Sequence, residues 1–442
     1  MTDRHLPLPP IRYKIGEEVN KPAKGINNFS SFEYLNELRG ILGGSLFSRL
    51  ENTFLGPIII AGSRKGGGAQ RSDDGLGFSG QLIHFLLSRQ IKTTREEEVW
   101  FHFDGQPMRF SLREFHLVTG LPCWETEEEE EAPIEDQFVW PLCNDDTHTC
   151  GDLLKQIKEL GANEEEGKLR LAMLLLIESI FLMPYTNLKF KFPRSYVEIA
   201  RSNITSYPWG EVSFKILISS INSVCDSDLN KGKYSIKGFP MALQLWFLAS
   251  VPNLEVAFAR LGNPSGFVCA RYLCTHLPTF RAVWVVERSK DAKVISALGD
   301  FDDKNDDLAA VVTLVNRGYR VSETDWSRNF IDLEEAEKFI SLTCGAQNDG
   351  SHETNGDVCE DTLPSPLEEE QDLWCVETLL GFQDVTKSSD DAHPSSTKAP
   401  YQTRSGRPIV APSKFTPDSS NELKHTTKVQ KQRCFSQTVL CS

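Results

Sequence analysis

Apolar residues recur at intervals of three and four along most of the first 344 positions, the spacing that lays one face of a helix against a core. The pattern begins around Phe32, with Tyr34, Leu35 and Leu38 on one face, and returns in Phe214, Leu217, Ile218, Ile221 and Val224 as an amphipathic helix. Leu82, Ile83, Phe85, Leu86 and Leu87 predict a buried helix. Lys168–Met183 and Met241–Val251 are apolar nearly all round, as expected of helices enclosed by other helices at the centre of the core. Leu308–Val315 reads as a helix and Ala282–Val286 as a strand. Asp332 with Glu335 gives a box-like start to a helix ending near Leu342.

One stretch breaks the helical period. Val99-Trp100-Phe101-His102-Phe103 is β-prone, Asp104-Gly105-Gln106-Pro107 supplies turn residues, and Met108-Arg109-Phe110 can pair back as a short strand. Ser111 then has the features of a helix N-cap. Its hydroxyl can accept from the Glu114 backbone while the Glu114 carboxylate reaches back, and Phe110 and Phe115 occupy the hydrophobic-staple positions. Gly120 and Pro122 end that helix.

Polar composition marks the borders of the body. Residues 1–30 hold Pro7, Pro9, Pro10 and Pro22 and no evident period, which reads as a disordered arm; the folded body is expected over 31–344. Gly62-Ser63-Arg64-Lys65-Gly66-Gly67-Gly68 is loop chemistry, and the run of glutamates from Glu125 to Glu131 predicts a solvated acidic loop over 125–136. From Gly345 to Thr386 there are 11 acidic residues and no Lys or Arg, whereas Lys387–Ser442 carries nine basic residues against four acids. An acidic disordered segment, 345–386, and a basic disordered tail, 387–442, are expected. The fold class is therefore mainly α with a small β-hairpin, an α+β body with a long tail.

Composition narrows the function classes. The N-terminus lacks a secretory pattern, and the longest apolar run, Leu171–Met183, is interrupted by Glu178 and Ser179, so an intracellular protein without a membrane span is expected. Eleven cysteines without repeated spacing point to reduced thiols. The net charge of −15 disfavours nonspecific attraction to nucleic acid except through the basic tail.

Several phrases resemble a known family: Phe78-Ser79-Gly80-Gln81-Leu82-Ile83-His84-Phe85-Leu86-Leu87, Trp100-Phe101, Arg109-Phe110-Ser111-Leu112-Arg113-Glu114-Phe115, Val118-Thr119-Gly120-Leu121 and Tyr207-Pro208-Trp209-Gly210. Over roughly 40–260 the chain is similar to a plant domain of unknown function found in transposon-derived, Mutator-like proteins. That domain is often joined to a cysteine protease acting on ubiquitin-like proteins. The resemblance implies a lineage, with the nucleus favoured over the cytoplasm, and no agreed reaction, ligand or site residue. The protease half is not recognisable in these residues.

Each candidate for chemistry has a plainer reading beside it. The protease needs His, Asp, Gln and Cys in order; Thr343-Cys344-Gly345 follows His276, but Lys338–Thr343 offers no Gln for the oxyanion. Cys123, Cys143, His148 and Cys150 are zinc-binding types at poor spacing, so buried thiols are expected instead. The glycines near Gly66 lack the Gly-Lys-Ser/Thr of a phosphate loop. His102 and His116 have no nucleophile or carboxylate placed beside them by sequence, so packing or surface roles are expected. No catalytic residue, metal or cofactor is assigned.

In the tail, Leu373, Trp374, Val376, Leu379, Leu380 and Phe382 form an apolar cluster within acidic sequence, a pattern suited to folding on a protein partner. Arg404 and Arg407 flank Ser405-Gly406 in a partial minor-groove motif, and Lys424, Lys428, Lys431 and Arg433 follow, a set suited to weak DNA contact. The reading is a noncatalytic interaction module with unknown protein partners. The alternatives are a remnant or component of a ubiquitin-like-protein protease, and a DNA-associated protein acting through its tail.

Overall fold

The computed structural model describes residues 4–13, 21–63, 77–124, 146–184, 190–261, 266–274, 277–289, 294–295 and 308–345. All of them belong to the compact unit Met1–Gly381; the second unit, Phe382–Ser442, lies outside the described residues. The architecture is mainly helical with several small sheets of two or three short strands.

At the centre lies the helix Pro240–Ser250, buried along its whole length as its all-round apolar sequence predicts. Proline at its first turn lacks the N–H that would be unsatisfied there. Against it pack the helices Gly80–Ser88, Leu112–Thr119, Pro252–Phe258 and Val268–Arg271. Aromatic rings fill the junctions, with Phe103 edge-on to Phe247 and Phe85 edge-on to Phe280. A second group of helices, Glu33–Glu51, Cys150–Glu159 and Ser195–Ser202, packs on Glu165–Leu176. No single helix among the described residues is long and apolar enough to cross a membrane.

The hairpin forms as the sequence predicts. Val99–Phe103 pairs antiparallel with Gln106–Phe110 across the two-residue turn Asp104-Gly105, both at positive φ. Gly105 is required there, since a Cβ would lie 2.7 Å from the Val321 carbonyl oxygen. Gln90–Ile91 adds a third strand. Alternation sorts the strand residues into two faces: Val99, Phe101, Phe103, Met108 and Phe110 join the main core, whereas Trp100 faces a second cluster with Ile91 and Leu8. That cluster is completed from the C-terminal side by Leu308, Val311, Trp326, Ile331 and Ile340. The sheet is therefore covered on both faces.

Helix Leu112–Thr119 starts with the Ser111/Glu114 capping box and ends at left-handed Gly120. Helix Leu333–Gly345 starts as read, with the Asp332 carboxylate accepting from Glu334 and Glu335 backbone N–H groups. Leu308–Val315 lies almost wholly in the helix Ala309–Asn316.

Three expectations are corrected. Ala282–Val286 belongs to the helix Phe280–Glu287, whose N-cap Thr279 accepts from the Ala282 backbone; the cap decides against the β-branched composition. Lys168–Met183 is not one continuous α-helix, because Glu165–Leu176 gives way to a π-helical turn at Ile177–Leu182. The N-terminal residues do not form an unattached arm. His5–Pro7 pairs antiparallel with Phe330–Asp332, Ile11 bridges Ile91, and Gly25–Asn27 runs parallel to Lys233–Ser235. Leu8 and Ile26 are buried there, and Arg12 donates to Asp226, Gln90 and Val224. Burying those side chains and pairing those backbone groups offsets the entropy of ordering the segment.

Candidate functional site

An open cleft of about 950 Å³ lies between the loop that joins Gln90–Ile91 to Val99–Phe103 and the helix Trp209–Ser223. Its lining runs from Gln90 to Val99, through Arg109 and Ser111–Arg113, to Glu211, Lys215, Ser219 and Asn222. Sheet register sets the floor. Trp100 lies opposite Arg109, and Glu98, two residues before Trp100, points to the same face. The Arg109 guanidinium sits 4.0 Å from Glu98 and 3.8 Å from Glu114, all three side chains nearly buried. Both carboxylates are held from elsewhere, Glu98 by the Trp100 indole N–H and Glu114 by the Ser111 backbone N–H and hydroxyl. The floor is thus fixed, whereas Lys92, Glu96, Glu97 and Lys215 stand exposed at the rim. Lys215 pairs with Glu211 at 2.6 Å.

Three buried polar groupings lie away from the cleft. Arg89 forks onto Glu287 through bonds of 2.7 and 2.6 Å, with its guanidinium 3.4 Å from the centre of the Phe85 ring. His102 is enclosed near this pair; burial, reinforced by the positive charge of Arg89, pushes it down to about 3, and its Nδ1 has no hydrogen-bond partner. His84 Nδ1 lies 3.0 Å from the Tyr234 hydroxyl, and burial lowers this histidine below its ordinary value.

The third grouping joins residues read separately in the sequence. His148 Nε2 lies 2.7 Å from Glu178 Oε1, with side-chain exposures of 2% and 0%. Burial raises Glu178 to about 7 against the opposing pull of His148. The thiol of Cys150, two residues from His148, is buried and pushed up by desolvation and then by the charge of Glu178. A thiol, an imidazole and a carboxylate therefore lie in one neighbourhood, but all are closed to solvent. A buried protonated thiol is a poor nucleophile.

The other candidates are dispersed. Cys123 packs where a side chain at Gly210 would collide with its sulfur, and burial raises its thiol as well. Cys143 lies outside the described residues. Among those described, no group of three or more His, Cys, Asp or Glu is placed to hold a metal ion, and Cys123, Cys150, Cys225 and Cys269 are free thiols. His116 Nδ1 is 2.7 Å from the Leu121 carbonyl, and its ring meets Trp124 and Phe267 edge-on. Cys344 falls in the last turn of Leu333–Gly345. His276, the glycines near Gly66, the acidic loop 125–136, the apolar cluster Leu373–Phe382 and the basic set Arg404–Arg433 lie outside the described residues.

Fold and cleft together define an α+β domain, mainly helical, with an open groove built on a small sheet. Residues 87–220 match the family described as a domain of unknown function (DUF1985). That interval holds the hairpin, the capping box, the buried His148–Glu178 pair and almost all of the cleft lining. No curated protein and no solved structure matches the chain at a significant level.

Proposed function

We propose that the protein is a noncatalytic interaction module that takes an extended protein segment into the cleft beside the helix Trp209–Ser223. One observation carries this reading. The cleft lies within the matched interval save for Asn222, and its lining sets charged and neutral polar side chains beside the apolar Ile91, Val99, Leu112, Phe214 and Ile218, with neither His nor Cys among them. Five cations, Lys92, Arg95, Arg109, Arg113 and Lys215, face four carboxylates, Glu96, Glu97, Glu98 and Glu211. A polyanion such as DNA draws its affinity from an excess of cations. A near-balanced lining instead suits a peptide bearing both signs, whose charges fix register more than they add affinity.

The resemblance adds an origin to this reading: a domain descended from plant, Mutator-like mobile elements, working inside the cell and in the nucleus, with partners of its own. The test is proximity labelling in expressing cells with the native chain and with a Glu97→Lys, Lys215→Glu variant that melts at the native temperature. Loss of a defined set of neighbours is expected; an unchanged set would overturn the cleft as the binding surface. Covalent capture of any cysteine by a ubiquitin-like propargyl probe would overturn the noncatalytic reading and favour a protease component.

A further inference from the structure

The pairing of His148 with Glu178 ties a two-residue strand to a π-helical turn of the main core. His148 lies in the strand Thr147–His148, which pairs with Phe192–Pro193 over only two residues, supplemented by the Arg194 backbone N–H donating to Asp146. Glu178 lies in the π-helical turn Ile177–Leu182, a backbone form that leaves a helix locally less regular and recurs at functional positions. The bond between them is thus the polar anchor of a very short sheet. It is also incompletely satisfied: His148 Nδ1, Glu178 Oε2 and Ser179 Oγ are buried without hydrogen-bond partners. Such atoms make the site sensitive to its charge state, because an ion there is closed to solvent and its second oxygen has no donor.

We propose that the pair is a proton-dependent clasp: the protonated Glu178 carboxyl, donating to His148 Nε2, keeps Thr147–His148 seated on Phe192–Pro193, and loss of that proton as pH rises loosens that strand pair. Among the described residues, no cation faces Glu178 to replace it. The groups facing Glu178 besides His148 are the Cys150 thiol and the Tyr196 phenol, and Glu33 and Tyr34 of the first helix face Cys150; each is neutral or acidic. The helix Trp209–Ser223 contributes the Ser213 hydroxyl, which is spent on the Phe181 carbonyl. Native Glu178 holds its proton to about pH 7, whereas an unfolded glutamate releases it near 4.5. The stabilisation is therefore full below 4.5 and disappears as pH climbs through 7.

Hydrogen–deuterium exchange of the full chain, corrected for the intrinsic pH dependence of exchange, tests the clasp. Protection at 146–150 and 192–194 should fall by about tenfold per pH unit above 7, the slope of one linked proton, while protection in Pro240–Ser250 stays constant. Glu178→Gln, which cannot ionise, should flatten this dependence. Constant protection of the clasp between pH 6 and 9 in the native chain overturns the proposal, whether or not the variant folds. So does a Glu178→Gln protein that retains the native pH profile.

Discussion

His102 and Arg89 show how burial decides what a side chain can do. His102 is fully enclosed and stands near the Arg89 guanidinium, so the native state refuses a proton until about pH 3, whereas the unfolded chain accepts one near 6.5. A depressed histidine contributes stability that is complete above 6.5 and is lost as pH falls. From pH 6.5 to 5 the loss attributable to His102 should be about 2 kcal/mol. Urea unfolding of the native chain and of His102→Phe at both values measures it, and equal losses in the two proteins would remove His102 as the cause. Arg89 makes the complementary case. Its partner Glu287 also accepts from the Asp104 backbone N–H, so Glu287→Ala leaves a buried cation and an unpaired turn. A loss of about 3 to 5 kcal/mol is expected. Replacing both residues with apolar ones should restore most of it, because the charge and its desolvation disappear together; a double variant as unstable as Glu287→Ala would contradict that account.

At the scale of elements, the hairpin–helix unit is built from contacts within about a dozen residues, the strand pairs from Val99–Phe110 inward and the Ser111/Glu114 box. Ser111→Ala should cost about 1 kcal/mol by removing the cap. Gly120→Ala should cost more, since Gly120 has a φ of 77° and an added Cβ would lie 2.8 Å from the Phe267 ring. Chemical denaturation of the two variants checks the order, and a Gly120→Ala protein as stable as the native one would refute it. Locality also explains what could be read beforehand. The Ser111/Glu114 box, the Asp104-Gly105 turn and the nearly all-apolar run Met241–Val251 announce themselves within a few residues. The β-branched run Ala282–Val286 fits either period, and only its cap resolves it. Strands of two or three residues, such as His5–Pro7 and Thr147–His148, carry too little alternation to be seen. The cleft was not legible because its walls come from residues 90–99, 109–113 and 211–222, joined only by the fold. Glu178 did leave a signal, a carboxylate inside an apolar run, which points to a buried partner without naming His148.

At the scale of the described body, the second hydrophobic cluster joins the two ends of the folded chain. Leu8 contributes from the first strand segment, Ile91 and Trp100 from the sheet, and Leu308 to Ile340 from the last helices, so neither end completes that cluster alone. The N-terminal segment is fastened along its length: His5–Pro7 to Phe330–Asp332, the Leu8 backbone N–H to the Asn329 carbonyl, and Pro10 and Arg12 to Lys92 and Gln90. Deleting residues 1–13 removes all of these. Burial of Leu8 alone is worth about 2 kcal/mol, and the Arg12 bonds to Asp226 and Val224 add a charged anchor. Of the described residues deleted, only the partly buried Tyr13 packs against the main core, so that core should remain intact. Limited proteolysis of the deletion variant is therefore expected to cut within 308–345 while Gly80–Ser88 and Pro240–Ser250 keep their native exchange protection. If exchange protection is lost evenly across both clusters, the two are one cooperative unit and the N-terminal segment is as integral to the core as the central helix. If 308–345 stays as resistant as before, Trp100 and Ile91 hold the second cluster without help from the first strand.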